Sequence, residues 1–201
     1  MRVTIVLSNL MLVTVLATTL ALGAATAHAE DGATDSPPGS ITFVGKNMVA
    51  TANGTFHKWH FTKADFDPDH PENSEVAIEV DVASIDTKIE KRDDHLRTAD
   101  FFDVENYPTA TLRIYEIVAS GTSEDGNPQF SAKLDWAMHG VQKTYENFSF
   151  ELTGKSPVQV KGTFTINRMD FNIGEKHRSL NPMSIQEEIP IVFEATVPET
   201  L

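Results

Sequence analysis

Histidine is the residue type in this chain best suited to binding a metal, and two histidines lie close together. His57 and His60 are three positions apart, and imidazole is the commonest protein ligand for zinc and copper. On a β-strand, however, residues three apart point to opposite faces, so the two rings could share a metal only across a bulge. We therefore predict no metal site. The chain also lacks cysteine, which excludes thiolate metal sites and thiol catalysis.

Motifs of catalysis are missing from the sequence. It contains no Gly-x-Ser-x-Gly nucleophile turn, no His-Glu-x-x-His metal motif and no glycine-rich phosphate loop. The acidic residues are spread along the chain, as is typical of a solvated surface. We predict a protein that is not an enzyme and that needs no cofactor.

A charged stretch, residues 84–96, interrupts the pattern of the rest of the chain. Thr87 precedes Glu90 by three positions, which is the spacing of a capping box, and the apolar Ile89 and Leu96 are one heptad apart. These features predict a short helix across one end of the fold.

Four charged residues belong to this predicted cap or lie near it, namely Arg92, Asp93, Arg97 and Arg168. The first three stand beside other charged side chains, where solvated or paired surface roles are usual. We expect them to stabilise the cap, with contact to the polar head of a ligand as the alternative. Arg168 follows a predicted strand, and we expect it to neutralise the carboxylates of the cap.

Outside the predicted cap, apolar residues recur at every second position, which is typical of β-strands. Strands are therefore expected to position these groups. Val76, Ile78 and Val80 alternate with polar or small residues, as in half-buried strands. The same alternation recurs along the chain, and turn-forming residues separate the runs. The apolar residues that we expect to face inward are Leu112, Ile114, Trp136, Met138, Phe148, Phe150, Phe164, Ile166, Ile191 and Phe193.

Seven or eight strands joined by short turns favour an antiparallel sandwich or barrel over an α/β fold. An eight-stranded barrel is just wide enough to be filled by its own side chains or to hold one slender ligand. The residue pattern leaves both alternatives open.

The first 29 residues are typical of a cleavable signal peptide. Arg2 precedes an apolar run over residues 10–22, and Ala27-His28-Ala29 is a small-residue cleavage site. Threonines interrupt the run, which is too short for the roughly 20 apolar residues of a membrane span. We predict cleavage before Glu30, export to the periplasm and no membrane span.

Composition then divides the rest into a polar leader, residues 30–40, predicted to be disordered, and one domain over residues 41–201. Removing residues 1–29 takes away one arginine and no acid, so the formal charge changes from −13 to −14. Such a surface repels nucleic acid. Without a cysteine at its new N-terminus, the product is expected to carry no lipid anchor.

Five segments carry distinctive motifs: residues 84–87 (SIDT), 92–103 (RDDHLRTADFFD), 107–108 (YP), 138–141 (MHGV) with Lys143, and 167–174 (NRMDFNIG). Together they resemble the YceI-like family of lipocalin-like proteins. The resemblance runs from Ile41 to about Val197. It departs from the family pattern in the opening strand, residues 41–46, and in the continuation over residues 175–183.

The resemblance implies an all-β fold, a lipocalin-like extended antiparallel eight-stranded β-barrel with a short capping helix. It also implies a periplasmic carrier whose interior holds a long-chain amphiphile such as a polyisoprenoid, an isoprenoid quinone or a fatty amide. The ten inward residues would then form an apolar tunnel, with its mouth near the cap.

The alternative function is an acidic interaction module with a filled barrel, which docks a membrane redox protein or another basic partner. A weaker third alternative is an enzyme that acts on the bound lipid. The sequence does not determine the oligomeric state, and a homodimer remains an alternative.

Overall fold

The structure, a computed structural model, describes residues 38–199 and 201. The predicted signal peptide and residues 30–37 of the predicted leader lie outside the described residues. Within the described part, the chain forms one α-helix, α1 (Glu90–Arg97), and 3₁₀ turns at Pro71–Asn73, Val82–Ser84 and Arg168–Phe171. Its strands are β1 (Gly39–Lys46), β2 (Thr51–Phe56), β3 (Trp59–Asp65), β4 (Glu75–Asp81), β5 (Ile85–Asp86), β6 (Thr109–Thr122), β7 (Pro128–Met138), β8 (Val141–Lys155), β9 (Val158–Asn167) and β10 (Glu188–Val197).

All described strand pairs are antiparallel, and they form one curled sheet in the order β3-β4-β6-β7-β8-β9-β10-β1-β2-β5. The two ends of this order are joined along the chain, because β3 follows β2 and β5 follows β4. Hydrogen bonds from His57 N to Ser84 O (3.2 Å) and from Asp81 N to Lys58 O (2.9 Å) continue the pairing across both interruptions. Among the described residues, the ten segments therefore make eight long strands that close on themselves, and the predicted lipocalin-like barrel is confirmed.

The first strand begins earlier than predicted. Gly39 and Ser40 pair with Ala195 and Glu194 of β10, so the strand includes two residues of the predicted leader. Glycine and serine are typical of linkers, and only pairing with a strand at the other end of the chain makes them part of the sheet.

Cross-strand pairing explains how the apolar residues reach one side of the sheet. Leu112 on β6 pairs with Trp136 on β7, and Phe164 on β9 pairs with Ile191 on β10. Residues that pair directly across a sheet share a face. Burying one such side chain contributes roughly 1.5–3 kcal/mol, so these pairs set the strand register.

Helix α1 confirms the predicted short helix, but it begins later than the capping-box spacing suggests. Ile89 occupies the N-cap position without a side-chain cap, and the Thr87 hydroxyl donates to the Asp93 carboxylate. The capping-box prediction is therefore wrong. The predicted apolar face is wrong at Ile89, which is 53% exposed. Residues before the helix are held instead by pairing of Ile85–Asp86 with β2.

The segment that follows α1 is anchored to the hairpin between β7 and β8. His139 and Gly140 have φ angles of 51° and 73°, the left-handed pair that a two-residue hairpin turn prefers. A Cβ atom at Gly140 would lie 2.9 Å from the Tyr107 ring, so only glycine allows this close approach.

None of the helices in the described residues is long and apolar enough to cross a membrane.

Candidate functional site

A cavity of about 250 Å³ lies inside the barrel, and β1–β4 and β6–β10 all contribute to its wall. The barrel is therefore not filled by its own side chains, which removes the premise of the filled-barrel alternative. Pockets for drug-sized ligands occupy roughly 300–1,000 Å³, so this cavity suits a slender ligand. Apart from Lys46, Asn47, Thr87, Arg92 and Arg168, every lining residue is aliphatic, aromatic, methionine or glycine.

The structure brings all the predicted inward residues together at this cavity. Each of them lines it: Leu112, Ile114, Trp136, Met138, Phe148, Phe150, Phe164, Ile166, Ile191 and Phe193.

Sequence reasoning missed the part of the wall that β1–β3 supply. The missed residues include Phe43, Phe56, Trp59 and Phe61. The signal was present in the alternation of Trp59 with Phe61, where His60 stands between two large apolar residues. Trp59 and Trp136 both line the cavity and place two indoles in its wall.

One end of the cavity is closed by three phenylalanines. Phe66, Phe130 and Phe150 have ring centroids 5.4–5.9 Å apart, within the range of favourable aromatic pairs. Phe66 and Phe150 line the cavity, and the buried Phe130 packs against both of them. This cluster stops a ligand from passing through the barrel.

At the other end, the cavity reaches solvent beside the turn between β1 and β2. Of the described residues that line the cavity, only Lys46 and Ala50 are exposed. The cap lies over the same end, since Leu96 and Phe102 also line the cavity, and Phe102 meets Phe56 edge-on with 6.1 Å between the ring centroids. The cap that we predicted to form the mouth therefore acts as a cover, and the β1–β2 turn, which sequence reasoning missed, forms the opening.

Two segments border this opening, and we call them the mouth loops: residues 47–50 and residues 176–186. They are joined by a hydrogen bond from Met48 N to Pro182 O (3.2 Å). Gln186 N donates to Lys46 O (2.8 Å), and Ile185 lines the cavity. The second mouth loop thus extends the rim that β1 begins.

Arg92 reaches the cavity from α1, and Asp93 does not. The Arg92 guanidinium donates to Thr87 Oγ1 (2.6 Å) and to Thr87 O (2.7 Å). The buried Asp93 carboxylate accepts from Thr87 N (2.9 Å) and from the Thr87 hydroxyl. Thr87 therefore links the two charges and holds Arg92 at the cavity wall, where Arg92 has no carboxylate partner among the described residues.

Arg97 fastens the cap to the barrel wall and does not line the cavity. It donates to Ala83 O and Ile85 O, both at 2.9 Å, and pairs with Asp94 at 3.1 Å. Its contacts fit the predicted stabilising role.

Arg168 is buried, and its guanidinium binds backbone carbonyls rather than acids. Burial lowers the pKa of this guanidinium, which still stays protonated because an arginine cannot be deprotonated in a protein. The prediction that Arg168 neutralises carboxylates of the cap is wrong, since no carboxylate of the described residues pairs with it. Its carbonyl partners are Ile173, Glu175, Ile185 and Gln186.

The two histidines lie apart from the cavity. His57 Nε2 is 2.8 Å from Asp86 Oδ2, and hydrogen bonds from Lys88 and then from His57 lower the pKa of the Asp86 carboxyl. Among residues 38–199 and 201, no group of three or more histidine or acidic side chains is placed to hold a metal.

Solved structures with the same fold support this architecture. One is BcnA of Burkholderia cenocepacia (TM-score 0.66, 23% identity, 78% of this chain and 94% of that one). A second is described as a polyisoprenoid binding domain from Saccharophagus degradans implicated in plant cell wall breakdown (TM-score 0.60, 15% identity, 82% and 97% covered). At these identities the likeness shows the fold alone.

Relatives in sequence point to one family. A UPF0312 protein of Pseudomonas syringae is 31% identical over 160 residues, which are 77% of each chain. A UPF0312 protein of Vibrio cholerae is 33% identical over 129 residues, 59% of this chain and 66% of that one. The family model described as the YceI-like domain matches residues 33–197. That match spans every described strand of the barrel, and the chain therefore belongs to the YceI-like domain family.

Proposed function

We propose that this protein binds and carries a long-chain, lipid-like amphiphile of the isoprenoid type, with the chain inside the barrel. The observation that carries the proposal is the cavity, which has an apolar wall, one end closed by phenylalanines and one end open to solvent. The description of the Saccharophagus degradans structure as a polyisoprenoid binding domain supports the same ligand class.

The free energy of binding would come from burial of the chain. Each CH₂ group removed from water contributes roughly 0.8 kcal/mol, so a chain that fills the cavity needs no polar contact along its length. Among the described residues, the charged side chains of the lining are Lys46, Arg92 and Arg168, so the polar end of the ligand would lie toward the opening. A polyisoprenoid, an isoprenoid quinone and a fatty amide all have this construction.

We propose that the carrier works in the periplasm. Support comes from residues 1–29, whose charge, apolar run and small-residue ending match an export signal. An insoluble chain that has to move through an aqueous compartment beside membranes needs such a container. Fractionation of expressing bacteria would test the location, since recovery of full-length protein in the cytoplasm alone would contradict it.

Native mass spectrometry of the purified protein, followed by organic extraction, tests the ligand. We expect a mass above that of the polypeptide and an extract that contains an isoprenoid or another long-chain amphiphile. If no such molecule is recovered and added polyprenol or quinone is not taken up, the proposal is wrong.

A blocking variant separates binding in the cavity from binding elsewhere. Ala52 lines the cavity near its opening, whereas the adjacent Asn53 is exposed on the other face of β2. We expect Ala52→Trp to abolish uptake of cis-parinaric acid, a fluorescent linear fatty acid, and Asn53→Trp to leave it unchanged. In the parent protein, energy transfer from Trp59 and Trp136 in the wall to the bound probe reports occupancy.

A further inference from the structure

Exposed apolar side chains are concentrated at the opening of the cavity. Among the described residues, Met48, Val49, Leu180 and Met183 are 70%, 64%, 97% and 64% exposed. All four belong to the mouth loops, and the other large exposed apolar side chains are scattered singly over the chain. Exposed apolar side chains that gather at one place on a surface mark an interaction site, and these four border the opening of the cavity.

The mouth loops hold these side chains outward in braced turns. The Asn47 carboxamide accepts from Val49 N (2.9 Å) and Ala50 N (2.7 Å), and the Asn181 carboxamide accepts from Met183 N (3.0 Å). The buried Arg168 guanidinium binds the carbonyls of Ile185 and Gln186 at the base of the second loop. The apolar tips are therefore presented by anchored loops.

Charge on the same surface is opposite in sign to that of the whole chain. Residues 45–51 and 176–186 contain no acid and include Lys46, Lys176 and Arg178, whereas in the whole chain acids outnumber lysine and arginine by 29 to 16. The flanking acids are Glu175 and Glu187, and Glu187 Oε1 accepts from His177 N (3.1 Å), so three basic side chains stand beside two acidic ones. Arg178 meets Glu175 only in an exposed pair at 3.7 Å, and such pairs contribute little. Apolar tips next to basic residues are the combination that binds the interface of an anionic membrane.

We propose that the mouth loops dock on an anionic membrane surface, with their apolar tips inserted among the lipid headgroups, so that the cavity opens toward the bilayer. This inference rests on the proposed function, because it names the surface from which the ligand enters. A second copy of the chain fits the patch less well. A two-fold dimer through this patch would bring Lys46, Lys176 and Arg178 of one copy close to the same three cations of the other.

Vesicle sedimentation tests the docking surface. The chain is used from Glu30 onward, since the apolar run over residues 10–22 would itself bind vesicles, and the described residues form a compact unit of their own. We expect binding to vesicles of phosphatidylcholine with phosphatidylglycerol, weaker binding to phosphatidylcholine alone, and loss of the difference in high salt.

Two sets of variants separate the apolar contribution to vesicle binding from the electrostatic one. The combined Met48→Ser, Leu180→Ser and Met183→Ser variant should bind anionic vesicles at least about tenfold more weakly, because its apolar tips are gone. Val118→Ser removes a side chain that is 53% exposed on β6, outside the mouth loops, and should bind like the parent. Replacing Lys46, Lys176 and Arg178 by glutamine should weaken binding to anionic vesicles only.

The docking proposal is overturned if the parent does not bind vesicles or if the triple serine variant binds as the parent does. It is also overturned if light scattering gives the molar mass of a dimer for the parent and that of a monomer for the triple serine variant. Uptake of cis-parinaric acid from solution distinguishes the two proposals. If the parent takes up the probe but does not bind vesicles, only the docking proposal is contradicted. If the parent takes up no probe, the proposed function is contradicted.

Discussion

Replacing Gly54 by alanine is expected to push an aromatic ring into the cavity. Gly54 on β2 pairs with Phe43 on β1, and a Cβ atom at Gly54 would lie 2.2 Å from Phe43 Cζ. Carbon atoms in contact are separated by about 3.5–4.0 Å, so the ring has to move by more than about 1 Å. The two strands cannot separate without losing hydrogen bonds, and the free space lies in the lumen, which Phe43 lines.

The size of the effect follows from overpacking, which costs about 1–3 kcal/mol in a packed interior. The matched control is Gly45→Ala, at a glycine of β1 that lines the cavity. A Cβ atom at Gly45 would meet only Ala52 O, at 4.0 Å, so we expect a change within about 0.5 kcal/mol. Urea unfolding followed by the fluorescence of Trp59 and Trp136 measures both variants, and the m-value should stay constant.

Uptake of cis-parinaric acid provides the second readout. Gly54→Ala should bind the probe more weakly than Gly45→Ala, because the displaced ring occupies part of the cavity. Adding Phe43→Leu to Gly54→Ala should restore part of both stability and uptake, so the effects of the two changes should not be additive. Equal stability of the two alanine variants, or full additivity in the double variant, would refute the view that the Phe43 ring lies flat on Gly54.

Three further predictions test other parts of the fold. Arg168→Met should lower the free energy of unfolding by about 3 kcal/mol or more, because several buried carbonyls lose their hydrogen-bond donor. In the same urea titration, Arg168→Lys should recover only part of that loss. Asp93→Asn should lower the free energy of unfolding by about 1–3 kcal/mol, since the buried carboxylate accepts two hydrogen bonds from Thr87. The control is Asp94→Asn, which should change stability little because the Asp94 side chain is 68% exposed. The hydrogen bond from Arg113, and less so that from Lys63, lowers the pKa of Glu75 from 4.5 to about 2. A lowered carboxyl pKa stabilises the fold above the unfolded value and ceases to do so as the pH falls through the folded value. The stability that Glu75→Gln removes near neutral pH should therefore shrink between pH 4.5 and about 2 in parallel urea titrations, and a difference that does not depend on pH would show that the ion pair is not its source.

Much of the barrel could be predicted from residue pattern, because alternation of polar and apolar residues is a local property. Leu112 with Ile114 and Trp136 with Met138 predict inward faces before any pairing is known, and the structure places all four at the cavity. The cap was recognised because its charged motif interrupts that alternation. The helix prediction failed locally at Thr87 and Ile89. Thr87 bonds to Asp93 and the segment before Ile89 is held by pairing with β2, and residue spacing does not reveal such contacts.

The site was harder to predict, because its decisive features join distant parts of the chain. Arg168 was predicted to face acids, but its partners are carbonyls of a loop whose path depends on β10. The opening at Lys46 and Ala50 is formed where the β1–β2 turn meets residues 182–186, and no motif in either segment marks it.

The sequence by itself determined the family, the all-β class and the apolar character of the inward face, because these depend on motifs and on a period of two. Only the tertiary structure decided whether the barrel was filled. That outcome depends on how far the rings project into the lumen, and Phe43 and Phe193 lie over Gly54 and Gly162 of the paired strands. The absence of two side chains in the wall leaves room for the rings to lie flat against the sheet, which keeps space open inside the barrel.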